Sequence, residues 1–427
     1  MSCCATNPVG MNKQAERRLS VLMSHPTGNQ NVRNALRSLV ENQMLAEFWT
    51  TFAWDPESRW NRLVPSGLRM QLARRAFVQA PKERVKCVPW REMVRLGAVR
   101  WPLKDLLTSG ERPFSIIGIY RHFDGKVARR VRTIHPGAVY AYEGGALHTF
   151  REAKRLGITT LYELPSSHWY WEHRFLSEEA ERNPAFAGLL PKLQDSPGHM
   201  RWKDEELGLA DMVFVASQHV RHTLFGVVPD EKIRVVGYGA PPIRPRKPMP
   251  RDANRPLRVL FVGALIQRKG ISYLLDAVDR LGAEVELTIV GRRFQPNPRV
   301  DEALSRVRWF ETLSHGQVLD LMMESDVLLL PSLCEAFGLV VTEALACGLP
   351  VIVTPNVGAG DLIFDGREGF VVPICSSEAI ADRLHALDRD RELLAVMSRN
   401  AQRTAAEHAW ENYRANLADA VRTAILC

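Results

Sequence analysis

The chain is poor in the signals that would make it a metal, redox or membrane-spanning protein. Seven cysteines occur in 427 residues. None forms a Cys-x-x-Cys pair or falls at zinc-ligand spacing, which excludes a zinc ribbon and a disulfide framework and predicts a reducing, cytoplasmic setting. The N-terminus lacks the apolar run of a secretory signal, which points the same way. No Gly-x-Gly-x-x-Gly follows a strand-like run, so a dinucleotide redox enzyme lacks its fingerprint. The longest apolar stretch, 337–354, is broken by Glu343, Gly348 and Pro350 and reads as a core βα element, not a membrane span. Internal repeats are absent. One Asp-x-Asp occurs, Asp388-Arg389-Asp390, but it lies in a charged tract beside Arg391 and reads as a salt-bridged surface helix. No metal site is expected.

The length predicts two domains, and 46% apolar residues can supply two cores. A Pro-rich, charged, aperiodic segment, 241–256, is the natural linker. It separates an N-terminal domain, 19–240, behind a short tail of residues 1–18, from a second domain, 257–408. A final helical segment, 409–427, follows Trp410. The formal charge of +8 divides unevenly, about +11 before residue 246 and about −3 after it. The basic excess therefore belongs to the N-terminal half.

The second half carries the clearest chemistry. An apolar strand over 326–331 leads into a small-residue turn with Glu335, a helix starting near Phe337 and containing Glu343, and a second strand over 349–354. This is a βαβ unit with its polar groups at the carboxyl edge of a parallel sheet, where ligands bind. The two acids are too far apart to act on one bond, and they suit the two ends of an extended, hydroxyl-rich ligand. The N–H groups of Phe337, Gly338 and Leu339 would face an anion between them. A ribose and a hexose joined by a diphosphate match that order of groups, while a helix with one solvated glutamate is the plainer alternative. Upstream, the strand 257–262 ends at Gly263 and is followed by Arg268-Lys269-Gly270 and an amphipathic helix from Ile271 to Leu281. Two cations beside a helix start can neutralise a diphosphate. A further strand, 286–290, also ends in glycine, Gly291.

The N-terminal half reads as strands over 19–24, 138–142, 158–162 and 212–216. Their ends carry His25 and Gly28, Tyr142 and Glu143, His168 between Ser167 and Trp169, and Ser217 as a helix cap. Glu143 and Tyr142 would meet an acceptor hydroxyl or else serve as a cap and a core aromatic. His25 is a weaker candidate of the same kind. Trp169 and Trp171 could form a wall for sugar stacking. Between residues 59 and 100 lies a basic, aromatic-punctuated region, with Leu68, Leu72 and Phe77 as an apolar stripe. It could meet anionic lipid, attract an anionic acceptor, or be a solvated basic face. No nucleic-acid motif accompanies it, so no specific nucleic-acid partner is expected.

Phe261-Val262-Gly263, Arg268-Lys269-Gly270, Ile289-Val290-Gly291, Leu330-Pro331-Ser332, Glu335-Ala336-Phe337-Gly338-Leu339, the run Glu343 to Pro350, and Gly366-Arg367-Glu368-Gly369 occur in an order and spacing that resembles the retaining family-4 glycosyltransferases of GT-B fold. The resemblance covers about 150 residues of the 427. It implies two Rossmann-like parallel-sheet domains facing across a cleft, with the C-terminal helix crossing back to the first. It also implies a nucleotide-diphosphate sugar donor, a UDP- or GDP-sugar, with no cofactor or metal. By position, Lys269 and Arg268 resemble the diphosphate clamp and Glu335 the acid that holds the transferred sugar. Gly263, Phe337, Gly338 and Leu339 resemble the backbone around sugar and phosphate, and Glu343 the ribose acid. His168 resembles a histidine near donor sugar and acceptor, although Pro165-Ser166-Ser167 lengthens its turn. Two departures stand out. Ala264 occupies a position where many members have arginine, and the loop at Gly28 has fewer glycines than is usual. The implied activity is sugar transfer with retention to an unidentified acceptor. A sugar-nucleotide epimerase or hydrolase would turn over without acceptor; a silent sugar-nucleotide or polyanion binder would not turn over at all.

Overall fold

The computed structural model describes residues 18–58, 64, 69, 72–98, 110–190, 196–245 and 255–426. The expected N-terminal tail, except residue 18, and most of the expected linker, 246–254, lie outside these residues, as does Leu68. Among the described residues, two fully parallel sheets carry the fold. The first contains β1 (Val21–Ser24), β2 (Leu45–Thr50), β3 (Val85–Cys87), β4 (Ala138–Tyr142), β5 (Thr159–Leu164), β6 (Met212–Val215) and β7 (Ile233–Val235), in the order β3-β2-β1-β4-β5-β6-β7. The second contains β8 (Leu257–Val262), β9 (Val285–Val290), β10 (Arg308–Phe310), β11 (Val327–Leu330), β12 (Val351–Val353) and β13 (Gly369–Val371), in the order β10-β9-β8-β11-β12-β13.

Helices cover both faces of each sheet, so central strands are continuous apolar runs; all four residues of β11 are fully buried. Strand order reverses between β1 and β4 and again between β8 and β11. A crevice forms outside the carboxyl ends at such switch points. The loops after β1, β4, β5 and β6 carry the N-terminal candidates, and those after β8 and β11 carry the C-terminal ones. The last helix, Trp410–Leu426, returns to the N-terminal half. There Arg414 reaches Glu41 at 2.9 Å and Asn34 at 3.2 Å, and its carbonyl accepts from Ser38 Oγ. Among the described residues no helix is long and apolar enough to cross a membrane.

Three local expectations are corrected. The helix expected from Phe337 begins at Leu339, because Gly338 adopts a left-handed φ of 87° and breaks the helical path before it. Phe77 belongs to no apolar surface stripe: it is buried against Phe48, ring centroids 4.8 Å apart. Part of the basic charge of 59–100, among the described residues, is also paired within the chain. Arg75 and Arg95 pair with the buried Glu92, and Lys82 pairs with Asp55 and Glu57.

Glu163, on β5, is buried between the first sheet and the last helix, where Tyr140 and Tyr238 donate their hydroxyls to it. Burial pushes its carboxyl up to about 7. The folded value lies above the unfolded one, so the contribution of this group to stability is full below about pH 4.5 and is lost as pH rises through about 7. The total loss is about 3 kcal/mol. Urea denaturation across that interval should show this decline, and Glu163→Gln should flatten it. An unchanged slope in the variant would remove Glu163 as its source.

Candidate active site

Two loops at the carboxyl edge of the second sheet build the donor-side candidates. After β8 the chain passes Gly263 and closes a single turn of 3₁₀ helix, Gln267–Lys269, before the Ile271–Leu281 helix. After β11 it passes Pro331 to Gly338 and enters the Leu339–Ala346 helix. Leu333 N–H donates to the Arg268 carbonyl at 2.9 Å and ties the loops together. This brings the Lys269 ammonium onto the Glu335 carboxylate as an ion pair, with side chains only 14% and 17% exposed. Gly263 lies against the Lys269 stem, where a Cβ would approach Lys269 Cε at 3.7 Å. A Cβ on Gly291 would collide with the Gly263 carbonyl, so the glycine at 291 lets the chain leaving β9 pass the end of β8 at backbone distance.

Glu335 is fixed through its backbone. Its N–H donates to the Asn356 carbonyl and its own carbonyl accepts from Gly358 N–H, both at 2.9 Å. Gly338 then turns the chain so that the first N–H groups of the Leu339–Ala346 helix, which have no intrahelical partner, open beside Glu335. Phe337 is buried, with its ring edge-on to Tyr238 at 5.1 Å. Glu343 lies further along the same helix, 15% exposed, with the His315 imidazole 3.8 Å away. Burial raises its carboxyl above the usual range, and His315 opposes that shift.

The first sheet faces this edge. Arg268 reaches across to Glu172, on the helix Trp169–Arg182, at 3.8 Å. Burial raises the Glu172 carboxyl, and Arg268 partly offsets it. Glu143 accepts from Ser166 Oγ at 2.9 Å and lies 3.8 Å from the Lys203 ammonium. His168 is 6% exposed, with Nε2 3.6 Å from Asp204 and a titration lowered by burial. Trp169 donates to that same Asp204 at 2.6 Å. Trp171 stacks on Phe175, with its edge contact to His219 at 5.1 Å. Three acid–cation pairs thus line the cleft, Glu143 with Lys203, Glu172 with Arg268 and Glu335 with Lys269.

His25 plays a different part. Its Nδ1 accepts N–H groups from Thr27 and Gly28 at 3.0 and 2.7 Å, which leaves Nε2 carrying the proton. Burial and the nearby Arg75 hold its titration down at about 3, so it stays neutral and shapes the loop. Gly28 has φ 84°, and a Cβ there would strike the Phe77 ring. Tyr142 is buried edge-on to His25 at 4.6 Å.

Glu172, Lys203, Asp204 and the interdomain contacts have no mark in the sequence. Ser217 Oγ donates to the Ala336 carbonyl at 2.7 Å, as well as capping its own helix. Ser167 Oγ lies 3.1 Å from both Cys334 Sγ and His219 Nε2. Glu179, fully buried, accepts from Gln267 and Tyr273 of the other half at 2.7 and 2.9 Å. These contacts hold the two halves against each other around the cleft.

Comparison with known proteins matches residues 246–404 to the family model described as glycosyl transferases group 1. An uncharacterized glycosyltransferase of Methanocaldococcus jannaschii is 29% identical over 154 residues, 36% of this chain and 44% of the relative. The D-inositol 3-phosphate glycosyltransferase of Rhodococcus opacus is 31% identical over 232 residues, 49% of this chain and 51% of the relative. The chain thus spans about half the length of the curated relatives it matches. Solved structures align over nearly the whole chain. Anabaena HepE in complex with UDP superimposes with TM-score 0.62 at 16% identity, over 95% of this chain and 100% of that one. Sucrose-phosphate synthase from Thermosynechococcus elongatus gives 0.65 at 17% identity, over 95% and 98%.

Proposed function

We propose that the protein transfers a sugar, with retention, from a nucleotide-diphosphate donor to an acceptor held by its N-terminal half; the match of residues 246–404 to glycosyl transferases group 1 and the GT-B fold of the chain support this reading. The observation that carries the reading is the Lys269–Glu335 pair beside the Gly338 helix start, at the sheet edge facing the other half. A donor diphosphate would take over Lys269 and Arg268, the sugar would meet Glu335, and the ribose hydroxyls would meet Glu343. The carboxylate releases the ammonium as the phosphate arrives. The two cations and the helix N-terminus then face the charge that develops on the leaving group, which is the work a divalent cation would otherwise do. His168 and Glu143 would meet the acceptor. Closure of the halves around the donor excludes water.

A thermal-shift panel of uridine, guanosine and adenosine diphosphate sugars tests the donor, with UDP-glucose first because uridine nucleotides occupy the HepE neighbour. The matching donor should stabilise the protein by about 2.7 kcal/mol at a hundred times its Kd. Product stereochemistry by NMR tests retention, and activity in a chelator tests metal independence. Glu343→Ala should weaken nucleotide binding by about 1.5–3 kcal/mol. Sugar-nucleotide turnover without acceptor would identify an epimerase or hydrolase instead. Binding without turnover against any acceptor would leave a silent binder.

A further inference from the structure

The helix Trp90–Ala98 is inside out. Its only acid, Glu92, is 3% exposed and pairs inward with Arg75 and Arg95, at 3.0 and 2.8 Å. Its apolar residues look outward: Trp90 is 49% exposed, Met93 56%, Val94 41% and Leu96 44%. At 100° per residue, Trp90, Met93 and Val94 share one face, with Leu96 at its edge. Burying a carboxylate while exposing four large apolar groups is costly in water, so this face is built for a partner.

The neighbouring helix, Ile116–Ile134, indicates which partner. His122 packs edge-on to Trp90, ring centroids 5.7 Å apart, and the Trp90 Nε1–H donates to it. Burial, and after it the nearby Arg91, Lys126 and Arg129, depress the titration of His122. The sole acid of that helix, Asp124, is fully buried and accepts N–H groups from His148 and Thr149. Glu111, at the patch's edge, is neutralised by Arg121. Each helix has turned its one carboxylate inward, leaving apolar groups edged by cations. That pairing fits the interface of an anionic bilayer, with the apolar side chains among the acyl chains and the cations at the headgroups. We propose that this face, Trp90, Met93, Val94 and Leu96 rimmed by Arg91, Lys126 and Arg129, docks the protein on an anionic lipid surface.

Co-sedimentation of the full chain with vesicles of phosphatidylcholine, alone or mixed with phosphatidylglycerol, tests this. The protein should pellet with the anionic vesicles, roughly a hundredfold more tightly than with neutral ones for three interfacial cations, and less so in high salt. Met93→Ser with Val94→Ser should weaken binding at least tenfold at an unchanged Tm. Lys126→Glu with Arg129→Glu, on a half-buried and an exposed position, should abolish the preference for anionic lipid. Three results would overturn the proposal. One is wild-type protein that stays in the supernatant. Another is a wild-type dimer that the Met93/Val94 variant dissociates, which would make the face a contact between copies. The third is a variant that loses stability while vesicle binding persists, which would show the face to be covered by the chain itself.

Discussion

Lys269→Ala is expected to lower kcat/KM by about 10²–10³-fold, the effect typical of removing one preorganised donor from the site of developing charge. The ammonium is held without solvent slack: its stem lies against Gly263, its backbone is locked in the 3₁₀ turn, and its side chain is 14% exposed. A cation so placed does not reorganise when negative charge builds on a leaving phosphate. Affinity for the nucleoside diphosphate product should fall as well, by about 1.5–3 kcal/mol for a lost charged hydrogen bond. The variant also leaves Glu335 without its counter-ion, so some of the effect could be structural. Lys269→Ala combined with Glu335→Gln separates the two. If the defect were only an unpaired carboxylate, the double variant would bind the nucleoside diphosphate as tightly as Glu335→Gln alone. Under the present reading it recovers Tm while its nucleotide affinity stays low. Nucleotide titrations and melting curves decide it, and a single variant within threefold of wild type in kcat/KM would leave Arg268 as the only clamp.

The donor half was legible for a physical reason. Parallel strands buried on both faces must be uninterrupted apolar runs, and the glycines ending them mark where backbone passes backbone. β9 with Gly291, which passes the Gly263 carbonyl at the end of β8, is of this kind, and Gly338 marks a turn through its positive φ. The charged residues at the edge followed from those landmarks. The N-terminal half offered no such punctuation. Its cleft wall is assembled from helix positions, Glu172, Lys203 and Asp204, whose letters read as ordinary solvated charge. The contact of Ser167 with Cys334 joins positions 167 residues apart, and no local pattern encodes it. Periodicity misleads outright in the 90–98 helix. The usual rule turns apolar residues inward, whereas here Glu92 goes in, because Arg75 and Arg95 compensate its charge, and Trp90 and Met93 stay out. The expected stripe through Phe77 failed for the converse reason: the ring closes a core against Phe48 beneath the Gly28 loop.

Glu335→Gln should produce the sharpest split between binding and chemistry. The substitution keeps the shape of the side chain, and the backbone bonds to Asn356 and Gly358 do not depend on it. What it removes is the charge that grips sugar hydroxyls and, before the donor arrives, occupies Lys269. The first loss should cut kcat by about 10²-fold or more at saturating donor, since the carboxylate's hydrogen bonds count most in the transition state. The second acts in the opposite direction on the nucleotide. With no carboxylate competing for Lys269, UDP or GDP should bind as tightly as to wild type or up to about threefold more tightly. Titration calorimetry with the nucleoside diphosphate and initial rates at saturating donor measure the two effects separately. Equal losses in nucleotide affinity and kcat/KM, with kcat unchanged, would place Glu335 in simple ground-state binding and break the assignment. A fall in kcat with nucleotide affinity preserved or raised is the pattern required of an acid that exchanges its lysine for the transferred sugar.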